Sequence, residues 1–300
     1  MHDDAAQPSE SGMVTAISAL KMNRIITVTL NPAIDRITEV ADFHVGGVQK
    51  AREAHVYPAG KGVNVARALS CMGYDVTAIA VIGAANVEFF ETVKDIKGPD
   101  PALEMGKITT EWILTSRPTR TNNTFIDPVR GTETHVREVV ETHEEFPMAQ
   151  VKAALEKHCG EGDAVIFAGS LPSNAPADTL SQLCNLCRSK GAKVVVDTSG
   201  EALKDALKAS PDLVKPNVEE LQEFVGHRFY TKNEIVNAAR ELVRDFSVPY
   251  VLVSMGEEGA VIASADGDCG NPMLSSKAYQ AMFMLPLTQT QHEHGLISLA

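Results

Sequence analysis

Six short segments carry residue types and spacings suited to chemistry. The first is Thr29-Leu30-Asn31-Pro32-Ala33-Ile34-Asp35, directly after an apolar run. An aspartate there can accept hydrogen bonds from sugar hydroxyls; the same residue also suits an Asx turn or a helix cap. The second is Ala59-Gly60-Lys61-Gly62-Val63-Asn64-Val65-Ala66-Arg67, a glycine-rich turn that runs into an amphipathic pattern. Glycines let backbone N–H groups approach a ligand, and a helix N-terminus favours an anion. Lys61 adds a charge, and Asn64 can donate and accept. The segment is not a Walker A loop, and taken alone it is equally a plain turn. The third, Thr119-Arg120-Thr121-Asn122, offers an arginine for bidentate phosphate binding or a solvated surface charge.

The other three lie in the second half. In Ala168-Gly169-Ser170-Leu171-Pro172 the Ser170 hydroxyl can donate to a phosphate, or the segment is only a strand-to-helix turn. Asp197-Thr198-Ser199-Gly200 is followed by Lys215-Pro216-Asn217-Val218-Glu219-Glu220. Asn217 and Glu220 stand three apart at a helix start. They can share a hydrated Mg²⁺, which prefers oxygen ligands and keeps several waters. They equally suit an N-cap with an acidic first turn. Ser254-Met255-Gly256-Glu257-Glu258-Gly259-Ala260 joins two strand patterns, and Gly256 and Gly259 can admit a nucleotide.

These segments must be positioned by regular elements. Apolar runs at Ile25 to Leu30, Val76 to Ile82, Ala164 to Ala168, Lys193 to Asp197, Leu213 to Lys215 and Tyr250 to Ser254 predict strands. Helical spacing is found at Val63 to Met72, Met148 to His158, Pro176 to Ser189, Glu201 to Lys208, Asn217 to Val225 and Lys232 to Asp245. Near-continuous apolar strands alternating with helices indicate a buried, mostly parallel sheet. Such sheets bind ligands at the carboxyl ends of their strands. Ile37 to Tyr57 and Lys107 to Val139 alternate apolar and polar residues instead. They predict half-exposed strands, either a small β-layer acting as a lid or a pair of edge hairpins.

Composition narrows the function. The chain has 300 residues, 44% hydrophobic and 22% charged, which is globular usage. Its formal net charge of -12 argues against a general grip on nucleic acid or anionic lipid. A local cluster of donors for an anionic substrate is still compatible with it. No apolar run reaches the length of a membrane span. The five cysteines lack disulfide-like spacing, which favours the cytoplasm. Cys184 and Cys187 fall on a helical apolar face and suit core packing better than metal or redox chemistry. No G-x-G-x-x-G follows the first strand, so a dinucleotide-dependent dehydrogenase is disfavoured.

The order and spacing of T-L-N-P-A-I-D, G-K-G-V-N-V-A-R-A-L, T-R-T-N, G-S-L-P and K-P-N-x-x-E-L resemble the pfkB (ribokinase-like) family of carbohydrate kinases. The Gly-Lys-Gly form resembles its 1-phosphofructokinase and tagatose-6-phosphate kinase branch. The resemblance covers about Arg24 to Ser264. It implies a three-layer α/β/α domain with a small β-sheet lid, a cytoplasmic kinase using ATP and Mg²⁺, and a homodimer joined through the lid. By the same resemblance Asp35, Gly60, Lys61 and Asn64 hold the sugar phosphate, while Arg120 and Ser170 grip its phosphate. Lys215, Asn217 and Glu220 face the ATP phosphates, with Asn217 and Glu220 at Mg²⁺. Ser254, Gly256 and Gly259 line the nucleotide side. Fructose 1-phosphate is the implied acceptor, with tagatose 6-phosphate and fructose 6-phosphate as alternatives.

The sequence departs from the family pattern in its last part. The family places its catalytic base in a G-A-G-D motif, and no Gly-Ala-Gly-Asp occurs here. Asp266 and Asp268 lie too near the preceding strand to replace it. The expected organisation is therefore a flexible extension over 1–23, a kinase domain over 24–264 with lid segments at 37–57 and 107–139, and a divergent tail over 265–300. His292 and His294 lie in that tail without partner ligands nearby. The expectation is a truncated or altered family member with impaired transfer, or a sugar-phosphate sensor without catalysis.

Overall fold

The computed structural model describes residues 23–95, 105–140 and 142–264. The chain opens with β1 (Ile25–Thr29), whose five residues are all buried. Next come β2 (Ala33–Glu39), β3 (Glu53–Ala59), helix α1 (Lys61–Cys71), β4 (Val76–Gly83) and the short helix α2 (Val87–Glu91). Then follow β5 (Ile108–Thr115), β6 (Arg120–Asp127), β7 (Thr132–Arg137), α3 (Met148–His158), β8 (Ala164–Ala168) and α4 (Thr179–Ser189). The described part closes with β9 (Lys193–Asp197), α5 (Gly200–Leu207), β10 (Leu213–Val214), α6 (Val218–Val225), α7 (Lys232–Phe246), β11 (Tyr250–Ser254) and β12 (Ala260–Ser264).

Eight strands form one sheet in the order β12-β11-β10-β9-β8-β1-β4-β5. Every pairing is parallel except β11 with β12. Alternate residues of the buried strands feed two apolar clusters. Ile26, Val28, Ile79 and Val81 join α3 and α4 on one face. Ile25, Ala78, Ala80 and Ile82 join α1 and Phe90 of α2 on the other. The result is three layers, as the unbroken apolar runs require. Cys184 and Cys187 are buried free thiols in α4, and burial pushes Cys184 up to about 12. That chemistry belongs to a core residue.

A second sheet has four strands in the order β3-β2-β6-β7. Here the expected lid limits need correction. The 107–139 segment does not act as one unit, because β5 pairs along its length with β4 at the edge of the main sheet. Its alternation reflects an edge strand with one covered face, the pattern a half-exposed lid strand would also show. Only β6 and β7 from that segment enter the small sheet, and β2 begins at Ala33, four residues before the expected start. Asn23 belongs to the folded body, since its backbone N–H donates to the Gly162 carbonyl at 3.0 Å. Residues 1–22 of the expected extension, and the expected tail, lie outside the described residues.

Helix boundaries shift for local reasons. Thr179 donates through both N–H and Oγ1 to the Pro176 carbonyl, so a turn precedes α4 and the helix starts later than Pro176. Asn217 stands outside α6 as its cap. Lys61 and Gly62, expected in a turn, already belong to α1.

Candidate active site

Parallel strands share a direction, so the ends of β1, β8, β9, β10 and β11 come to one edge. The chain moves from β1 to β4 and β5 on one side and to β8 through β12 on the other. Between β1 and β8 lies the switch point where ligands enter such sheets. A small pocket opens there, lined by Leu30, Gly169, Ser170 and Thr198 among others. The small sheet rises from the same edge, because β2 follows β1 directly and β3 leads into α1 through Gly60.

Close packing sets the turn before α1. Gly60 has φ +128, and a Cβ there would lie 2.8 Å from Thr29 Cγ2 and 2.9 Å from Pro32 Cα. A Cβ on Gly62 would meet Thr29 Oγ1 at 2.4 Å and the Val28 carbonyl oxygen at 3.0 Å. The start of α1 therefore rests directly on β1. Asn64 N–H donates to the Gly60 carbonyl at 2.8 Å, and its buried side-chain Oδ1 has no protein partner.

The small sheet delivers the polar side of the site by register. Asp35 lies opposite Tyr57 on β3 and Asn122 on β6, and Asn122 lies opposite Arg137 on β7. This single row faces one way, and Asn122 Nδ2 donates to Asp35 Oδ1 at 2.9 Å. Burial pushes the Asp35 carboxyl up from its ordinary value; the Asn122 bond and the nearby Arg120, Arg137 and Arg67 pull it back in part. Arg120 donates to the carbonyls of Pro32 at 3.3 Å and Asn31 at 3.2 Å. Burial, Arg137 and Arg117 all lower its pKa, while Asp35 raises it. Arg67 is lowered chiefly by burial, and its Nε has no protein partner. Buried polar atoms without partners are rare, and two of them, Arg67 Nε and Asn122 Oδ1, belong to residues that act on Asp35.

The other half centres on Asp197, which is 5% exposed. Lys61 Nζ meets its Oδ1 at 2.6 Å, and Lys215 Nζ meets its Oδ2 at 3.2 Å. Glu220 Oε1 lies 3.9 Å from Lys61 Nζ. Asn217 and Glu220 form a reciprocal capping box. Glu220 N–H donates to Asn217 Oδ1 at 2.7 Å, and Asn217 N–H donates to Glu220 Oε2 at 2.9 Å. Ser254 is brought beside them, its N–H donating to the Pro216 carbonyl at 3.1 Å. Asn31 Nδ2 donates to Ser170 Oγ at 3.1 Å and ties the β1 and β8 ends together. The hydrogen bonds of Gly256 and Gly259 stay within the β11–β12 turn.

The sequence pattern of the pfkB family carbohydrate kinases matches residues 28–277. The chain belongs to this family. Curated relatives in the pfkB family include a 1-phosphofructokinase of Bacillus subtilis, 35% identical over 79% of this chain and 74% of its own length. A second, from Rhodobacter capsulatus, is also 35% identical, over 80% of this chain and 73% of its own length. Among solved structures, phosphofructokinase-2 from Escherichia coli in complex with fructose-6-phosphate superimposes with a TM-score of 0.73 at 28% identity. That match covers 82% of this chain and 78% of the solved one. The chain is thus a carbohydrate kinase of ribokinase-like fold.

The residues expected from the sequence fall into two groups within this pfkB scaffold. Asp35, Gly60, Lys61, Asn64, Arg120 and Ser170 cluster around the ends of β1 and β8. Lys215, Asn217, Glu220 and Ser254 cluster around β10 and β11. Arg67 and Asp197 lie within the segments singled out in the sequence but without a role of their own, and Arg117 and Arg137 lie outside them. Arg137 was recoverable from the hairpin, because pairing outward from the Asp127 turn sets it opposite Asn122. Asp197 ends a predicted strand and heads one of those segments, but its pairing with Lys61 and Lys215, 136 and 18 residues away, has no local signal.

Proposed function

We propose that this chain transfers the γ-phosphoryl group of ATP to fructose 1-phosphate, giving fructose 1,6-bisphosphate and ADP. The guanidinium cluster carries this reading. Arg67, Arg120 and Arg137 act together on one half-buried carboxyl, Asp35, with Arg117 acting on Arg120. One aspartate does not require that many cations, whereas a phosphate monoester bound by charge-assisted hydrogen bonds does. Asp35 accepts from sugar hydroxyls beside it. The 1-phosphofructokinase relatives support fructose 1-phosphate over tagatose 6-phosphate and fructose 6-phosphate.

The nucleotide half suits ATP phosphates. Lys215 supplies charge, and Thr198 has a buried Oγ1 with no protein partner. Ser254, Gly256 and Gly259 line the side toward β11. Among the described residues, no group of three or more acidic, His or Cys side chains forms a metal cage. Mg²⁺ does not need one, because it binds through waters and substrate phosphates with one or two carboxylates. Glu220 fits this role with the Oε1 that the cap leaves over, and Asn217 orients it. Mg²⁺ would neutralise charge on the transferring phosphoryl group.

In the reaction the sugar hydroxyl oxygen forms a bond to the γ-phosphorus. The bond from that phosphorus to the β–γ bridging oxygen breaks, ADP leaves, and the hydroxyl proton passes to a base. The 300 residues hold no Gly-Ala-Gly-Asp, so this chain by itself is expected to run slower by ~10²–10⁴, the share of a general base. The same observation favours a second reading, a sugar-phosphate binder without catalysis. We further propose a homodimer joined through the small sheet, acting in the cytoplasm. Among the described residues, no helix is long and apolar enough to cross a membrane.

The test is ADP release with Mg²⁺ and ATP, offering the three sugar phosphates separately. Turnover greatest with fructose 1-phosphate is the expected result. Stabilisation by fructose 1-phosphate without ADP release, about 2.7 kcal/mol at a hundredfold excess over Kd, would select the binder. Neither effect with any of the three would overturn both readings.

A further inference from the structure

We propose that Asp197 is a positioning residue, one carboxylate that holds Lys61 and Lys215 in register and so sets both halves of the site. The inference rests on the kinase reading above and deepens it. Three residues far apart in sequence meet here: Lys61 at the start of α1, Asp197 at the end of β9, and Lys215 just after β10. Each carboxylate oxygen takes a different ammonium, at 2.6 Å and 3.2 Å. The Asp197 backbone is itself fixed, since its carbonyl accepts from Gly169 N–H at 2.9 Å. The stem of Lys61 crosses that same glycine, where an added Cβ would stand 3.3 Å from Lys61 Cβ.

Fold stability alone gives a poor account of this arrangement. The Lys61 side chain is 40% exposed, so the core does not require its partner. A nearly buried carboxylate is expensive to desolvate, and a solvated lysine would serve the fold as well. What the carboxylate does achieve is to bring two like charges to one point, which would otherwise repel. Before substrates bind, Asp197 occupies both ammoniums. An incoming phosphate then competes with it for a cation that is already aimed. Removing the charge should therefore strengthen ground-state binding of anions while loosening their placement.

The substitution Asp197→Asn keeps the shape and removes the charge. Brief amine acylation, read by mass spectrometry at Lys61 and Lys215, needs no substrate. Both lysines should label faster in D197N. In Lys61→Met the carboxylate belongs to Lys215 alone, so Lys215 labelling should fall, and Lys215→Met should do the same to Lys61. These two variants keep the test decisive even if D197N does not fold. A change at only one lysine, or at neither, overturns the proposal.

The functional arm uses fructose 1-phosphate by calorimetry, without metal or nucleotide. Its Kd should tighten by roughly two- to fivefold in D197N, the worth of a solvent-screened ion pair. Meanwhile kcat should fall by about tenfold or more from lost alignment. Parallel loss of affinity and kcat would mark a merely structural residue and overturn the positioning role. Wild-type protein that binds none of the sugar phosphates would instead defeat the kinase reading, with the labelling result still deciding whether Asp197 bridges the lysines.

Discussion

Burial pushes the Asp35 carboxyl above its ordinary value of 3.8, and the Asn122 amide with three guanidinium groups only partly reverses this. A carboxyl whose folded pKa lies above its unfolded one makes the folded state less stable once ionised. The cost is present at neutral pH, shrinks as pH falls through the raised folded value and is gone below the unfolded value of 3.8. Asp35→Asn should therefore leave Tm at pH 7 unchanged or higher, with a weaker dependence on acid. Sugar-phosphate binding should weaken by about 10- to 100-fold, the worth of a hydrogen bond to a charged group. Scanning calorimetry and titration calorimetry read the two effects, and a Tm that falls with Kd unchanged would contradict this account. By position alone Asp35 suits an Asx turn or a cap as well as a sugar contact, and only the resemblance of T-L-N-P-A-I-D to the family pattern singles it out. Its cationic surroundings were not legible, because Arg67 and Arg137 reach it from α1 and from two strands away across the small sheet.

Helix α1 and the turn before it show why glycine spacing mattered more than charge. A Cβ on Gly62 would press against the Thr29 hydroxyl and the Val28 backbone. Gly62→Ala should cost about 1–3 kcal/mol from overpacking, read as a lower Tm in the absence of ligand. An unaltered Tm would mean that α1 does not rest on β1 as described. Asp127 does similar work in the small sheet. Burial raises its carboxyl, but the N–H groups of Asp42, Val129, Arg130 and Phe43 together hold it below its ordinary value. A depressed carboxylate stabilises the fold above its unfolded pKa of 3.8, and this is lost as pH falls through the lower folded value. Asp127→Asn should lower Tm at pH 7 and reduce the difference between the variants in acid melts below pH 3.8. A constant gap down to pH 2 would count against that origin. Most elements were legible, since buried strands and amphipathic helices carry strong periodicity. Element β5 was not, because an edge strand of the main sheet and a strand of a half-exposed layer alternate alike. The Asn217 and Glu220 pair fitted both a cap and a metal site, and the structure shows the cap without removing Glu220 Oε1 from the site.

At the scale of the whole molecule, a chain of net charge -12 still gathers Arg67, Arg120 and Arg137 around Asp35, with Arg117 near Arg120, and sets Lys61 and Lys215 on Asp197. An anionic body with a local cationic pole favours small phosphorylated ligands over polyanions, because the surrounding field repels a long one. The same distribution bears on assembly. All six residues of β7 are exposed, and Val136 on β7 and Val56 on β3 are 52% and 38% exposed. Both lie in one register row with Arg36 and Asn123 and so share a face of the small sheet. A thin sheet with only four strands is more stable with a covered face, and in the proposed homodimer a second copy would supply the cover. Light scattering on the eluting protein should then give twice the mass of the 300-residue chain. Val136→Asp should shift it toward the single-chain mass, since a buried, unpaired charge costs more than such an interface tolerates. Residue Val136 is outside the sugar-phosphate row, so loss of the dimer with retained fructose 1-phosphate binding would separate assembly from recognition. A dimer that survives Val136→Asp and Val56→Asp together would place the contact on another surface.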